Sequence, residues 1–268
     1  MLIDTHCHIN TMVKSEFDIL LKESDYAEAK LIIDFATTKS VHKIINVGTS
    51  LPESLNCISL AKRFEPIYAT IGIHPNDLNE NWQEELKTLA QYLPQKEDHK
   101  IIGIGECGLD LHYPNYNLQR QIAGFRAQIE LALNYNLPLS VHTRNAPQET
   151  LKVLEEYVQN KITGVIHCFS EGLDFAKEVT SWGFVMGIGG TITYPKNNFL
   201  REVVTEYSLS NIVLETDAPF LPIQAMRGKT NHPVHIYEIA EYIANLKSVD
   251  LTEVAQKTAA NVQRIFKI

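Results

Sequence analysis

The sequence predicts an α/β fold: a single-domain (β/α)8 TIM barrel over residues 1–268, with its polar groups at the C-terminal ends of the strands. Three observations predict it. Short β-branched runs alternate with longer stretches of helical period, eight times along the chain. Consecutive parallel strands need a crossover of a dozen or more residues, usually a helix. The 268-residue length also matches the roughly 250 residues in which such barrels close as one domain. A doubly wound open sheet uses the same alternation and is the alternative.

"MLIDTHCHI" is the first strand, and residues 16–39 are the first helix candidate. "KIINVGT" (43–49) and "PIYATIGIHP" (66–75) are the next strands, each followed by a helix, at 52–64 and 82–92. "KIIGIGECGLD" (100–110) is the fourth strand. In the helix after it, residues 116–135, Ile122, Phe125, Ile129 and Leu133 recur every three or four positions and form one apolar face. "LPLSVHTR" (137–144), "ITGVIHCFS" (162–170), "FVMGIGG" (184–190) and "NIVLETDAPF" (211–220) complete the eight. Their helices are expected at 147–159, 172–182, 197–208 and 233–246.

A composition of 44% hydrophobic and 21% charged residues is that of a globular protein. The net charge of −8 argues against a large basic surface wrapping a duplex. It permits a nucleic-acid end entering a pocket whose positive charge comes from bound cations. No apolar run approaches the roughly 18 residues of a membrane span, and no export signal opens the chain, so a cytoplasmic protein without a membrane partner is expected. Cys7, Cys57, Cys107 and Cys168 are dispersed, without C-x-x-C spacing, and are expected to be reduced thiols.

The strand ends carry His6 and His8, then His74, Glu106, His142, His167 and Asp217; the second and seventh contribute only Thr49 and "GIGG". One strand histidine is more often a hydrogen-bonded rim residue than a ligand. Seven such groups at strand ends are different, because each buried polar group needs a partner. Side chains alternate faces along a strand, so His6 and His8 share a face and grip one ion together. Asp4 is expected on that face one step deeper, as an acceptor orienting a histidine. Cys7, Cys107 and Cys168 turn the other way, which predicts packed thiols and no sulfur ligand. The six residues His6, His8, Glu106, His142, His167 and Asp217 exceed what one catalytic zinc takes. They suit two divalent ions sharing a carboxylate bridge and an activated hydroxide. Glu106, on a strand between the two histidine pairs, is the natural bridge. Asp217 is placed beside His6 and His8 and is the candidate acceptor for the proton of the attacking water. Imidazole with carboxylate suits Zn, Mn, Fe or Co, and Mg less well.

"IDTHCHI", "TIGIHP", "IGECGLDLHYP", "LPLSVHTR", "IHCFS", "LETDAPFL" and "RGKTNHP", in this order, resemble the motifs of the TatD family of metal-dependent hydrolases. The resemblance runs from residue 3 to the closing "NVQRIF". It implies a (β/α)8 barrel of the amidohydrolase superfamily, two divalent ions, and phosphodiester hydrolysis by a 3′-to-5′ exonuclease or deoxyribonuclease. By the same resemblance His6, His8 and Asp217 hold one ion, His142 and His167 the other, and Glu106 both. His74 in "GIHP" matches a substrate contact rather than a ligand. Cys107 in "GECGLD" and Glu171 after "HCFS" depart from the usual pattern; Glu171 adds negative charge at the mouth and bears on substrate preference.

On this reading the substrate is a nucleic-acid end, single-stranded DNA first. Arg144 is a candidate bidentate phosphate contact, and His74 and His112 are candidate phosphate or leaving-group contacts. Arg227 and Lys229 form a candidate basic loop. The alternative is a metal-dependent ester or amide hydrolase, such as a deacylase acting on charged tRNA. A metal-binding scaffold without activity is disfavoured by the intact ligand set.

Overall fold

The computed structural model describes residues 1–14 and 16–268. Eight parallel strands pair in the order of the sequence: β1 (Leu2–Cys7), β2 (Val41–Val47), β3 (Ile67–Ile71), β4 (Ile101–Asp110), β5 (Leu139–Arg144), β6 (Gly164–Ile166), β7 (Val185–Ile188) and β8 (Ile212–Leu214). The ends of the sheet meet just beyond β8. The Asp217 N–H donates to the His6 carbonyl (2.9 Å) and the His8 N–H to the Ala218 carbonyl (2.8 Å), with Cys7 and Ala218 bridged in parallel. This is the nearly closed (β/α)8 barrel that the alternation predicts.

Ten helices follow among the described residues: α1 (Ile9–Met12), α2 (Glu23–Thr37), α3 (Leu51–Arg63), α4 (Trp82–Ala90), α5 (Leu118–Tyr135), α6 (Pro147–Glu155), α7 (Leu173–Ser181), α8 (Asn198–Glu206), α9 (Ile236–Lys247) and α10 (Leu251–Phe266). Local chemistry sets several ends. Ser50 caps α3 by accepting the Glu53 N–H, with Pro52 in the first turn, where its missing donor costs nothing. Asn117 caps α5, and Asn136 ends it at φ 51°, a left-handed turn that asparagine tolerates.

The helix expected over 16–39 begins only at Glu23. Residues 16–22 are instead drawn out by polar contacts: the Asp18 N–H donates to Glu53 Oε1 (2.7 Å) and the Leu21 N–H to Asn56 Oδ1 (2.9 Å). A further helix, α10, lies beyond the last of the expected ones. Its Val262, Ile265 and Phe266 pack with Ile3, Ile45, Val165, Val185 and Val213, plugging the strand interior with apolar side chains. A larger apolar core fills the layer between sheet and helices, and includes Cys7, Cys57 and Cys107.

Two strands carry an extra residue just before their functional side chains. Between Asp4 and Cys7, β1 advances three positions while β2 advances from Ile44 to Asn46. Between Ile104 and Cys107, β4 likewise gains one residue on β5. Such bulges re-aim side chains. They explain why Ile3 belongs to the interior cluster while Cys7, four residues on, faces the helices. Uniform alternation from Asp4 to His8 therefore fails. The Asp4 carboxylate accepts from Thr216 Oγ1 (2.5 Å) and from the N–H groups of Thr216 (2.9 Å) and His6 (3.2 Å), and orients no imidazole. It ties β1 to the segment after β8.

Candidate active site

Six strand-end residues converge above the plug. His6 and His8 leave the bulged end of β1, and their Nε2 atoms approach to 3.2 Å. His8 Nδ1 lies 2.9 Å from the Val47 carbonyl, a contact only an N–H makes, so its Nε2 presents a lone pair. His6 Nδ1 is 3.3 Å from Ser140 Oγ. His167 Nδ1 lies 3.0 Å from Glu215 Oε1, close but off the line of a straight hydrogen bond, and its Nε2 turns to the same centre. Converging imidazole lone pairs repel unless a cation lies between them.

Glu106, from the bulge in β4, divides its two oxygens. Oε2 faces His6 Nε2 (3.4 Å) and His8 Nε2 (3.9 Å). Oε1 faces His142 Nδ1 (2.7 Å) and His167 Nε2 (3.8 Å). Asp217, held at φ 56° past β8, places Oδ1 3.4 Å from His8 Nε2, 3.9 Å from His167 Nε2 and 4.0 Å from His6 Nε2. His6, His8 and Glu106 form one group able to hold an ion, and Glu106, His142 and His167 another. No cysteine belongs to such a group among the described residues. Cys7 and Cys107 are buried as expected, whereas Cys168 is only half-buried.

The carboxylates draw positive charge into the cluster. Burial opposes a charge on His167, but Glu215, Glu106 and Asp217 outweigh it and push its pKa up to about 10. Burial also works against the Glu106 charge, yet His6, His74 and His142 hold that carboxyl well below the usual range. His74 behaves differently. Burial, with His142 beside it, brings its pKa down to about 3. Its Nδ1 accepts the Asn76 N–H (3.1 Å), so the neutral ring carries its proton on Nε2, 3.7 Å from Glu106 Oε1. His74 is thus placed as a donor into the site, although with Asp110 and His142 it also forms a group able to hold an ion.

A cavity of about 370 Å³ opens over these groups, walled by His74, Arg144, Asp77, Phe17, Tyr113 and Phe220 among others. Arg144 is exposed at its edge, its guanidinium 5.6 Å from the Tyr113 ring centre. His112 is not among the walls; its ring stands edge-on to Tyr113. Arg227 stacks on Tyr194 and also lies outside them. A larger hollow of about 680 Å³, between α2 and α3, contains none of the clustered carboxylates or imidazoles.

Sequence reasoning missed two buried carboxylates here. Asp110 Oδ2 lies 3.3 Å from His142 Nε2 and holds that ring from behind. Glu215 Oε1 takes the Cys168 N–H (2.5 Å) as well as facing His167. Each stands an even number of residues from a recognised group, Glu106 and Asp217 respectively, and that spacing was the available signal. The bare backbone of Gly187 makes room for Glu215, whose Oε2 would lie 2.1 Å from a Cβ there.

A family model, TatD related DNase, matches residues 3–267. The chain belongs to the TatD-related DNase family. Among its TatD relatives, the uncharacterized metal-dependent hydrolase YabD of Bacillus subtilis is 33% identical over 268 residues, covering all of both chains. The 3′-5′ ssDNA/RNA exonuclease TatD of Citrobacter koseri is 30% identical over 242 residues, covering 88% of this chain and 92% of that protein. The crystal structure of YjjV, a TatD homolog from Escherichia coli K12, superposes with a TM-score of 0.90 at 29% identity, covering 100% of this chain and 98% of the other. This TatD-family barrel also superposes on organophosphorus hydrolase from Deinococcus radiodurans (TM-score 0.64, 11% identity), a likeness of fold alone.

Proposed function

We propose that this chain is a two-metal-dependent nuclease that removes nucleotides from the 3′ end of a single strand. The split of Glu106 carries the reading: one carboxylate presents Oε2 to His6 and His8 and Oε1 to His142 and His167, the arrangement of a bridge between two ions. On this reading His6, His8 and Asp217 hold one ion, His142 and His167 the other, and Glu106 both. Divalent ions bound there place positive charge against a phosphate and acidify a water. Supporting the substrate class, a relative 30% identical is named a 3′-5′ ssDNA/RNA exonuclease.

The chain's own groups do the rest. Asp217, kept ionised against its burial by His8, His167 and His6, accepts the proton of the attacking water. His74 donates its Nε2–H to a phosphate oxygen, and its neutrality lets it sit beside cations without repulsion. Arg144 pairs with a phosphate from the edge of the cavity.

The test is to strip the protein with a chelator and restore Zn, Mn, Mg, Fe or Co singly. Each form is then assayed on 5′-labelled single-stranded DNA, on RNA and on an aminoacyl ester. Metal-restored release of mononucleotides from the 3′ end supports the reading; ester turnover without nucleotide release overturns it. Glu106→Ala is expected to lose nearly all metal-dependent hydrolysis while keeping its circular-dichroism spectrum. Full activity in that variant would sink the bridge.

A further inference from the structure

We propose that the hollow beyond Tyr113 is a second nucleotide subsite, which receives the penultimate base of a single strand whose 3′ end lies over Glu106. The inference rests on the nuclease reading above and deepens it. This hollow holds about 360 Å³ and shares two walls, Asn76 and Tyr113, with the cavity of about 370 Å³ over the clustered imidazoles. Both volumes lie at the low end of the roughly 300–1,000 Å³ of small-ligand sites, the scale of one nucleotide each. The two hollows therefore adjoin at Asn76 and Tyr113.

The walls have the chemistry that unpaired nucleotides recognise. Tyr113 and Tyr116 are 53% and 45% exposed, and the Tyr116 N–H closes a tight turn on the Tyr113 carbonyl (3.2 Å). That turn sets two phenol rings three residues apart along these walls. Arg120, in the second hollow, uses Nη1 on the Leu78 carbonyl (3.3 Å) and meets no carboxylate among the described residues; the same is true of Arg144 in the first. The ion pairs of arginine among the described residues lie away from these hollows: Arg63 with Glu23 and Arg126 with Glu156. Asn115 and Asn117 line the second hollow; Asn115 offers its amide to a base edge, and Asn117, whose Oδ1 caps α5, only its NH2 group. Phe17 and Phe220, 65% and 45% exposed, also line the first.

Partly exposed phenol rings beside guanidinium groups that meet no carboxylate among the described residues match a strand whose bases are unstacked and whose phosphates pass between them. A duplex offers ring faces only at its terminal pair, so the adjoining hollows select single strands. They also give the acidic mouth a source of affinity that does not depend on net charge, since stacking acts on every base.

Binding is measured by fluorescence anisotropy with the metal-loaded protein and a 5′-fluorescein hexathymidylate carrying a 3′-terminal phosphorothioate. Competition with thymidine 5′-monophosphate reports the first cavity alone. Tyr116→Ala is expected to raise the hexamer Kd about 5- to 150-fold, and to raise the monophosphate Ki by a clearly smaller factor. Arg120→Ala should follow the same pattern, and Tyr116→Phe, which keeps the ring, should bind the hexamer nearly as tightly as the parent. Equal losses for hexamer and monophosphate, or a Tyr116→Ala variant that binds the hexamer as the parent does, overturn the subsite. If the parent binds the hexamer through Tyr116 yet releases no mononucleotide from an unmodified strand, the subsite stands and the nuclease reading falls. If the parent does not bind the hexamer, the subsite falls whatever the protein hydrolyses.

Discussion

Glu215 shows how much a single residue outside the recognised set determines. It is fully buried, faces His167 Nδ1 at 3.0 Å, and fixes the turn after β6 by accepting the Cys168 N–H. A carboxylate behind a ligating imidazole sets its tautomer and orientation, and losing it typically costs about 10- to 100-fold in metal affinity. Glu215→Gln is accordingly expected to weaken divalent-ion binding by about that factor, read by competition with a chromogenic chelator. Unchanged affinity would show that His167 needs no such support. The sequence displayed this group openly, in "LETDAP", two residues before Asp217. What it did not display is the partner, because His167 is 48 positions away and meets Glu215 only across β7.

At the scale of elements, the segment 16–22 is held to α3 by a buried charge pair. Lys14 Nζ lies 2.5 Å from Glu53 Oε1, and Glu53 also accepts from Asn10 Nδ2 (2.8 Å) and the Asp18 N–H (2.7 Å). Burial pushes the Glu53 carboxyl up, but Lys14, Asn10 and Asp18 prevail and bring it below its ordinary 4.5. A depressed carboxyl contributes stability that is full above its unfolded pKa and is lost as pH falls toward its folded one. Glu53→Gln should therefore melt below the parent by on the order of 3 kcal/mol at pH 7. The gap should narrow as pH falls below about 4.5. Thermal melting from pH 7 to pH 3 checks this, and a constant gap counts against it. The same network keeps α2 from starting before Glu23. Residues 16–22 contain enough apolar side chains to pass for a helix start, but Asp18 sits at φ 57° and its N–H is claimed by Glu53, a tertiary partner.

Across the whole molecule, the two ends of the chain finish the barrel at opposite mouths. At the C-terminal mouth, Asp217 joins His6 and His8 from the last strand to the first. At the other, Phe266, 4% exposed, closes the interior formed by Ile3, Ile45, Val165 and Val213. Phe266→Ala is expected to cost about 3–5 kcal/mol of stability, a cavity effect read as an earlier denaturant midpoint. The loss should leave divalent-ion affinity nearly unchanged in the remaining folded protein, because the plug and the imidazole–carboxylate cluster occupy different layers. A midpoint shift below about 1 kcal/mol would mean that the interior collapses around the gap.

Local patterning in the chain specifies the strand–helix alternation and the strand-end placement of His6, His8, Glu106, His142, His167 and Asp217. Both are legible because they are local: apolar period sets each element, and a polar residue ending an apolar strand stands out from its neighbours. It also determined that Cys7 and Cys107 turn away, since adjacent residues face opposite sides above each bulge. Only the tertiary structure decided the bulges in β1 and β4, which depend on the register of neighbouring strands. The division of Glu106 between two imidazole pairs, and the binding of Asp4 to Thr216 rather than to a histidine, were decided there as well. These features are set by distances between residues remote in sequence, and chain closure fixes those distances only when all eight strands are in place.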